Sequence, residues 1–201
     1  GFILLLKKLQ LKIIKYEFLI FFFVFSLAFI SLLIFKNHDD FPYYHFVYTY
    51  NLTQFDLNVG IGQFNHGFRT PSSIFYINSL FYLPLIEFFS FNFTAVFILT
   101  FSNIILLKKI GFNDIKKPLF LKRIDHKNYL IIFFSLLSFI FINIFFYRIG
   151  EHGTDRSAQI LVMLLVLEII MTLKKKHFDS YLNLKIFTLL VFIISLKAFY
   201  I

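Results

Sequence analysis

The chain has 201 residues, of which 59% are hydrophobic and 22% are aromatic, and its mean hydropathy is +0.77. Soluble domains are about 45–50% apolar, so this composition predicts an all-α integral membrane protein. The net charge of +9 does not indicate nucleic-acid binding, because the basic residues stand in short blocks between apolar runs, and the absence of cysteine excludes disulfide and thiol chemistry.

Five apolar runs approach the roughly 20 residues that a helix needs to cross a bilayer. In chain order they are residues 13–35, 91–107, 129–147, 157–173 and 182–201. A further run, residues 72–89, contains Pro84 and Glu87. We expect it to lie as a helix along the outer membrane interface, capped by Ser72 or Ser73, and a tilted or re-entrant span is the alternative.

Lysine and arginine predict the orientation of these spans. Basic blocks stand near the N-terminus, within residues 108–127 and at residues 174–176, whereas the charges of residues 36–71 and 147–156 nearly balance. We therefore expect a multi-pass protein of the bacterial inner (plasma) membrane, with a cytoplasmic N-terminus and two loops facing the periplasm or exterior. Residues 1–201 are interpreted as a single transmembrane domain, the N-terminal part of a longer chain.

An acidic pair, Asp39 and Asp40, opens the first outer loop directly after the first apolar run. Carboxylates in this position are costly to hold without a purpose, so one of them is a candidate for the site, and helix capping is the alternative for either. The loop also concentrates glycines and hydrogen-bonding side chains, which is typical of a binding surface. Its other candidate residues are His38, Tyr43, Tyr44, His45, His66 and Arg69.

A second polar cluster spans the second outer loop and the start of the fourth apolar run. Its candidate residues are Glu151, His152, Asp155, Arg156 and Gln159. Capping by Thr154 and a dipole interaction of Asp155 are the structural alternatives. Arg156 and Gln159 are spaced to share one helix face. Because an arginine at a helix N-terminus opposes the dipole, a phosphate is expected beside Arg156, with Glu151, Asp155 or a lipid headgroup as alternative partners.

Two ionisable residues lie within apolar runs. For Glu168 we predict a structural role with Lys174 or Asn143 as its partner, although an ionisable residue there is a functional hypothesis by default. Lys197 is expected to reach the outer interface. No histidine has the spacing of a zinc site, so no cofactor is specified, and a divalent cation held by distant His and Asp side chains stays open.

A basic-ended span followed by an outer loop that opens with an acidic pair resembles the GT-C membrane glycosyltransferases. These include the protein mannosyltransferases and the lipid A aminoarabinose transferases. Asp39 and Asp40 match the acidic motif of that superfamily by position, and Glu151 or Asp155 resembles its second-loop acid. Residues 69–76 resemble the start of its interface helix, although the histidine of that motif is replaced. The resemblance covers roughly residues 13–173.

The resemblance implies an inverting glycosyltransferase with a polyprenyl-phosphate sugar as donor. Asp39 or Asp40 would be the general base or would orient the acceptor hydroxyl, with Glu151 and Asp155 as further catalytic candidates. Arg156, Arg69 and His66 would hold the departing phosphate. The remaining candidates would contact the substrate: His38, Tyr43, Tyr44, His45, His152 and Gln159. For the tyrosines, anchoring of the loop is the alternative.

Other classes of function compete with this interpretation. They are a transporter or flippase, another lipid-carrier or cell-envelope polysaccharide assembly enzyme, and a scaffold. A transporter needs ionisable residues along several spans and inverted repeats, and the sequence has no visible repeat. The expected partners are the lipid bilayer and a lipid-linked sugar, not nucleic acid. The test that separates these classes is whether the two acidic clusters meet in one place.

Overall fold

The computed structural model describes residues 15–34, 40–56, 59–69, 72–111, 128–144, 154–174 and 180–197. Among these residues there is no β-strand, and the regular structure is helical, so the predicted all-α class is confirmed for this part of the chain. The α-helices are α1 (Lys15–Ile34), α2 (Phe46–Gln54), α3 (Ser73–Leu80), α4 (Phe93–Ile110), α5 (Tyr129–Ile144), α6 (Thr154–Lys174) and α7 (Ser180–Leu196). A π-helical turn, Phe41–His45, and three 3-10 turns, Ile61–Gln63, His66–Phe68 and Phe88–Asn92, complete the described structure.

The described parts of the five predicted apolar runs form the helices α1, α4, α5, α6 and α7. Within the described ranges, two helices are long and apolar enough to cross a membrane: the 23 residues Phe88–Ile110 and the 21 residues of α6. The apolar stretches of the other three are shorter, Phe18–Leu33, Tyr129–Ile144 and Asn183–Leu196. Five membrane crossings therefore stay a prediction.

The central helix is α4, which packs against α1, α5 and α6. Its contact with α1 is aromatic, because the ring of Phe29 lies 4.8 Å from that of Phe93, and the ring of Phe21 lies 5.1 Å from that of Phe97. These pairs make α1 antiparallel to α4. The contact with α5 includes a reciprocal amide pair, in which Asn103 and Asn143 exchange hydrogen bonds of 3.1 and 2.7 Å.

The five long helices alternate in direction along the chain. The Lys197 ammonium lies 2.6 Å from the Asp155 carboxylate, which places the end of α7 beside the start of α6. At the opposite end, Lys174 donates a hydrogen bond to Asn128, next to the start of α5. We call the end with Asp155 and Lys197 the loop end, and the end with Lys108, Lys109 and Lys174 the lysine end. This alternation agrees with the helix directions predicted from charge.

The predicted interface helix over residues 72–89 is wrong in length. It ends at Leu80, and a turn follows in which the backbone nitrogens of Ile86 and Glu87 both donate to the Leu83 carbonyl. Pro84 explains the break, since proline lacks a backbone donor and disfavours helix at the residue before it. The Ser72 cap is confirmed by a 3.3 Å hydrogen bond from the Ile74 nitrogen. At about 12 Å, α3 is too short to span a bilayer.

Candidate functional site at the loop end

Asn65 fastens the two turns of the first loop to each other. Its side-chain amide donates to the Tyr43 carbonyl over 3.2 Å, and its side-chain oxygen accepts from the Gly67 nitrogen over 2.8 Å. Gly67 lies directly under the Tyr44 ring, where an added Cβ would be 2.3 Å from the Tyr44 Cγ. The π-helical turn and the His66–Phe68 turn are therefore held together, which brings the segment after Asp40 next to His66.

Asp40 does not cap the helix that follows it. Its backbone is already helical, with φ −67° and ψ −21°, and its side chain makes no capping hydrogen bond. A capping residue normally has an extended backbone, so the capping alternative is wrong for Asp40. Asp40 as a whole residue is half-buried. A role in the site therefore stays a prediction for Asp40.

The aromatic candidates of the first loop divide into exposed and buried side chains. Tyr43 is 60% exposed, whereas His45 is 3% exposed. The His45 ring lies 4.2 Å from the Tyr44 ring and 5.2 Å from the Phe75 ring. This placement is a packing environment, and it favours the anchoring alternative for Tyr44. Of these three side chains, Tyr43 is the exposed one, and its contact with a substrate stays a prediction.

A tyrosine pair that sequence reasoning missed joins α2 to α3. The Tyr48 and Tyr76 hydroxyl groups are 2.7 Å apart, and Tyr48 is only 5% exposed. Burial, together with the hydrogen bond to Tyr76, raises the pKa of Tyr48 well above its ordinary value. The phenol therefore stays neutral and serves as a bridge. Its spacing of 28 residues from Tyr76 left no local signal for the pairing.

The second polar cluster stands on the first turns of α6. Arg156 donates a hydrogen bond to the Gln159 side chain, which confirms that the two share one face. Asp155 lies in the first turn, as predicted, but it forms an ion pair with Lys197. Sequence reasoning gave Lys197 only a place at the interface. The ion pair adds a second cation, next to Arg156, to the candidate site.

Two serine contacts join the first loop to the last helix. The Ser72 hydroxyl donates to the Leu196 carbonyl, and the hydroxyl oxygens of Ser73 and Ser195 are 3.0 Å apart. Leu196 directly precedes Lys197, the partner of Asp155. Arg69, which donates to the Gly62 carbonyl over 3.2 Å, lies three residues before Ser72 and so within about 11 Å of it. The described parts of both outer clusters thus lie at one end of the bundle.

Four candidate residues, His38, Asp39, Glu151 and His152, lie outside the described residues, and their roles stay predictions. So do the phosphate-binding roles of Arg156, Arg69 and His66; His66 is exposed on its turn. Within the described ranges, no group of three or more histidine or acidic side chains is placed to hold a metal ion.

The predicted partners of Glu168 make their hydrogen bonds elsewhere. Lys174 donates to Asn128, and Asn143 pairs with Asn103. The prediction placed Glu168 correctly inside a long helix, but helix rotation, which the sequence did not specify, directs these two side chains to other neighbours.

Comparison of the chain with protein-family models, with curated proteins and with solved structures finds no match. The loop-end residues and the distribution of apolar surface are therefore the features that indicate a function.

Proposed function

We propose that this chain is a membrane-embedded GT-C-type glycosyltransferase that works at the loop end of the bundle. It transfers a sugar from a polyprenyl-phosphate donor to an acceptor hydroxyl, with inversion. The observation that carries the proposal is the Asp155–Lys197 ion pair beside Arg156, at the same end as the Asp40 segment. The proposal requires that these acidic and cationic groups, which come from distant parts of the chain, act on one substrate.

The exposed surface supports membrane embedding. On α5, Ser135 and Ser138 are buried, at 0% and 1% exposure, whereas Phe133 and Leu137 are 65% and 53% exposed. On α1, Phe22 and several of its apolar neighbours are likewise exposed. Large apolar faces are rare on soluble proteins, and small side chains between helices are typical of membrane bundles. This pattern favours a lipid-facing surface for the helices.

In the proposed reaction, the acceptor oxygen attacks the anomeric carbon while the bond from that carbon to the donor phosphate breaks. A carboxylate of the acidic pair, Asp39 or Asp40, takes the proton of the acceptor hydroxyl. The leaving phosphate keeps the electron pair of the broken bond. Arg156, with Lys197 and Arg69, stabilises its charge through charge-assisted hydrogen bonds.

The test is a transfer assay on membranes containing the chain, supplied with labelled polyprenyl-phosphate mannose or aminoarabinose. Asp40→Asn and Asp39→Asn are compared with the wild type and with Asp56→Asn, an exposed acid of the same loop. We expect at least one of the first two changes to lower transfer by about 100-fold or more, since it removes the base, while Asp56→Asn keeps it. Unchanged transfer in both variants, or none by the wild-type chain, contradicts the proposal.

Arg156→Ala separates donor binding from chemistry. Loss of a charge-assisted hydrogen bond to the phosphate should raise the apparent KM for the donor by about tenfold. Membrane insertion, checked by resistance to alkaline extraction, should be unaffected. An unaltered KM would show that Arg156 does not bind the phosphate of the donor.

A further inference from the structure

A cavity of about 690 Å³ lies between α4, α6 and α7, away from the loop-end site. Apolar side chains form nearly all of its wall, among them Phe101, Leu164 and Phe192, one from each helix. Ligand sites typically measure about 300–1,000 Å³, so this space is large enough for part of a small molecule or a hydrocarbon chain. The polar side chains of its wall, including Glu168 and Lys185, indicate the class of ligand that the cavity can bind.

Glu168 lines the cavity, and its side chain carries an unusual polar atom. Its Oε2 is buried and accepts no hydrogen bond within the described part of the chain. Lys185, from the adjacent α7, lines the same cavity. A buried carboxyl oxygen without a donor costs free energy, and most such atoms in native proteins have a partner. A ligand of this cavity is therefore expected to donate a hydrogen bond to Glu168.

Both polar groups lie at a similar depth near the lysine end. Glu168 is about 9 Å along the axis from the end of α6, and Lys185 is about 8 Å from the start of α7. By contrast, Glu168 is about 20 Å from Asp155 at the loop end. A ligand that reaches both groups therefore comes from the membrane surface opposite the proposed transfer site.

We propose that this cavity binds a phospholipid with a primary-ammonium headgroup, of the phosphatidylethanolamine class. The ammonium group donates to Glu168, the phosphate lies against Lys185, and one hydrocarbon chain fills the apolar space between Phe101, Leu164 and Phe192. The positive ammonium and the negative phosphate of the headgroup are complementary to Glu168 and Lys185. The apolar wall of the cavity is complementary to the hydrocarbon chain. The inference rests on the membrane embedding put forward under the proposed function, but not on glycosyl transfer.

Native mass spectrometry of the purified chain tests this assignment. The protein is given equal amounts of phosphatidylethanolamine, phosphatidylcholine and phosphatidylglycerol with identical acyl chains. We expect the wild type to retain phosphatidylethanolamine preferentially, and Glu168→Gln to lower that retention about tenfold, since a charge-assisted hydrogen bond is lost. Glu87→Gln, which changes an exposed acid at the loop end, is the matched control and should leave retention unchanged.

A second variant keeps the test informative if Glu168→Gln fails to fold. Thr188→Trp places a large side chain on the exposed part of the cavity wall, and it should lower retention of all three lipids. Equal retention of the three lipids by the wild type, an unchanged preference in Glu168→Gln, or displacement of the lipid by free phosphoethanolamine would each overturn the proposal. Loss of lipid preference leaves the transferase proposal intact, and absence of transfer leaves the lipid result intact.

Discussion

At the residue scale, the sharpest constraint on the loop-end site is Gly67. A Cβ at this position would lie 2.3 Å from the Tyr44 Cγ and 2.6 Å from the Tyr44 Cβ. Both distances are shorter than non-bonded carbon atoms can approach. Gly67 is needed because an aromatic ring occupies the space of its side chain, and the sequence showed only that a glycine stood in a polar loop. Which side chain covers it depends on the Asn65 hydrogen bonds between two turns.

Gly67→Ala should therefore destabilise the chain by about 1–3 kcal/mol, because Tyr44 must move out of its packed position. Thermal unfolding in detergent measures the change. Gly62→Ala is the matched control: its Cβ would lie 3.0 Å from the Arg69 Cγ and 3.3 Å from the Arg69 Cα, so a smaller loss than at Gly67 is expected. In a Tyr44→Ala background the Gly67→Ala change should cost much less. Equal losses in the two glycine variants would show that Tyr44 does not set the constraint.

At the element scale, the apolar runs predicted the helices well, and the segments between them poorly. A continuous run of about 20 apolar residues predicts a long helix from its length and composition. The helices α1, α4, α5, α6 and α7 were predicted in this way. The end of α3 at Leu80 and the turn after it depend on local backbone geometry around Pro84 and Glu87. Long-range pairs such as Tyr48 with Tyr76 and Asp155 with Lys197 depend on helix rotation and packing, which hydrophobicity alone does not determine.

The contact of α3 with α7 joins the first loop to the rest of the proposed site, and a cysteine pair can test it. The chain has no cysteine of its own. Because the Ser73 and Ser195 hydroxyl oxygens are 3.0 Å apart, Ser73→Cys with Ser195→Cys should form a disulfide under mild oxidation. Loss of both thiols to maleimide labelling, restored by reductant, measures the bond.

The control pair is Ser79→Cys with Ser195→Cys. Ser79 lies on the same helix, about 9 Å further along its axis, so its thiol should stay reactive after oxidation. Rapid bonding of both pairs would indicate that α3 moves freely over α7. Bonding of neither would separate the first loop from α7 and remove the physical link between the two polar clusters.

At the scale of the whole molecule, charge distribution predicted how the helices alternate. The lysines of residues 108, 109 and 174 share one end, and Asp155 with the first loop occupies the other, as the basic blocks indicated. In membrane proteins the cations of the connections specify orientation, which is why the basic blocks predict this alternation; the side of a membrane that each end faces stays a prediction. That rule concerns which side of a membrane each connection faces. It does not predict distances between side chains, so it could not predict how the side chains of the site are arranged.

Sidedness itself is the last prediction, and it applies to the chain in intact bacterial cells. Gln63→Cys, exposed at the loop end, should react with a membrane-impermeant maleimide added outside, whereas Lys108→Cys, exposed at the lysine end, should react only after permeabilisation. The single cysteines are unambiguous because the chain has no others. Reaction of both positions from outside would place the two ends in one compartment, and the bundle would then not span the bilayer. Reaction of Lys108→Cys alone would put the loop-end cluster in the cytoplasm, where an extracytoplasmic acceptor cannot reach it.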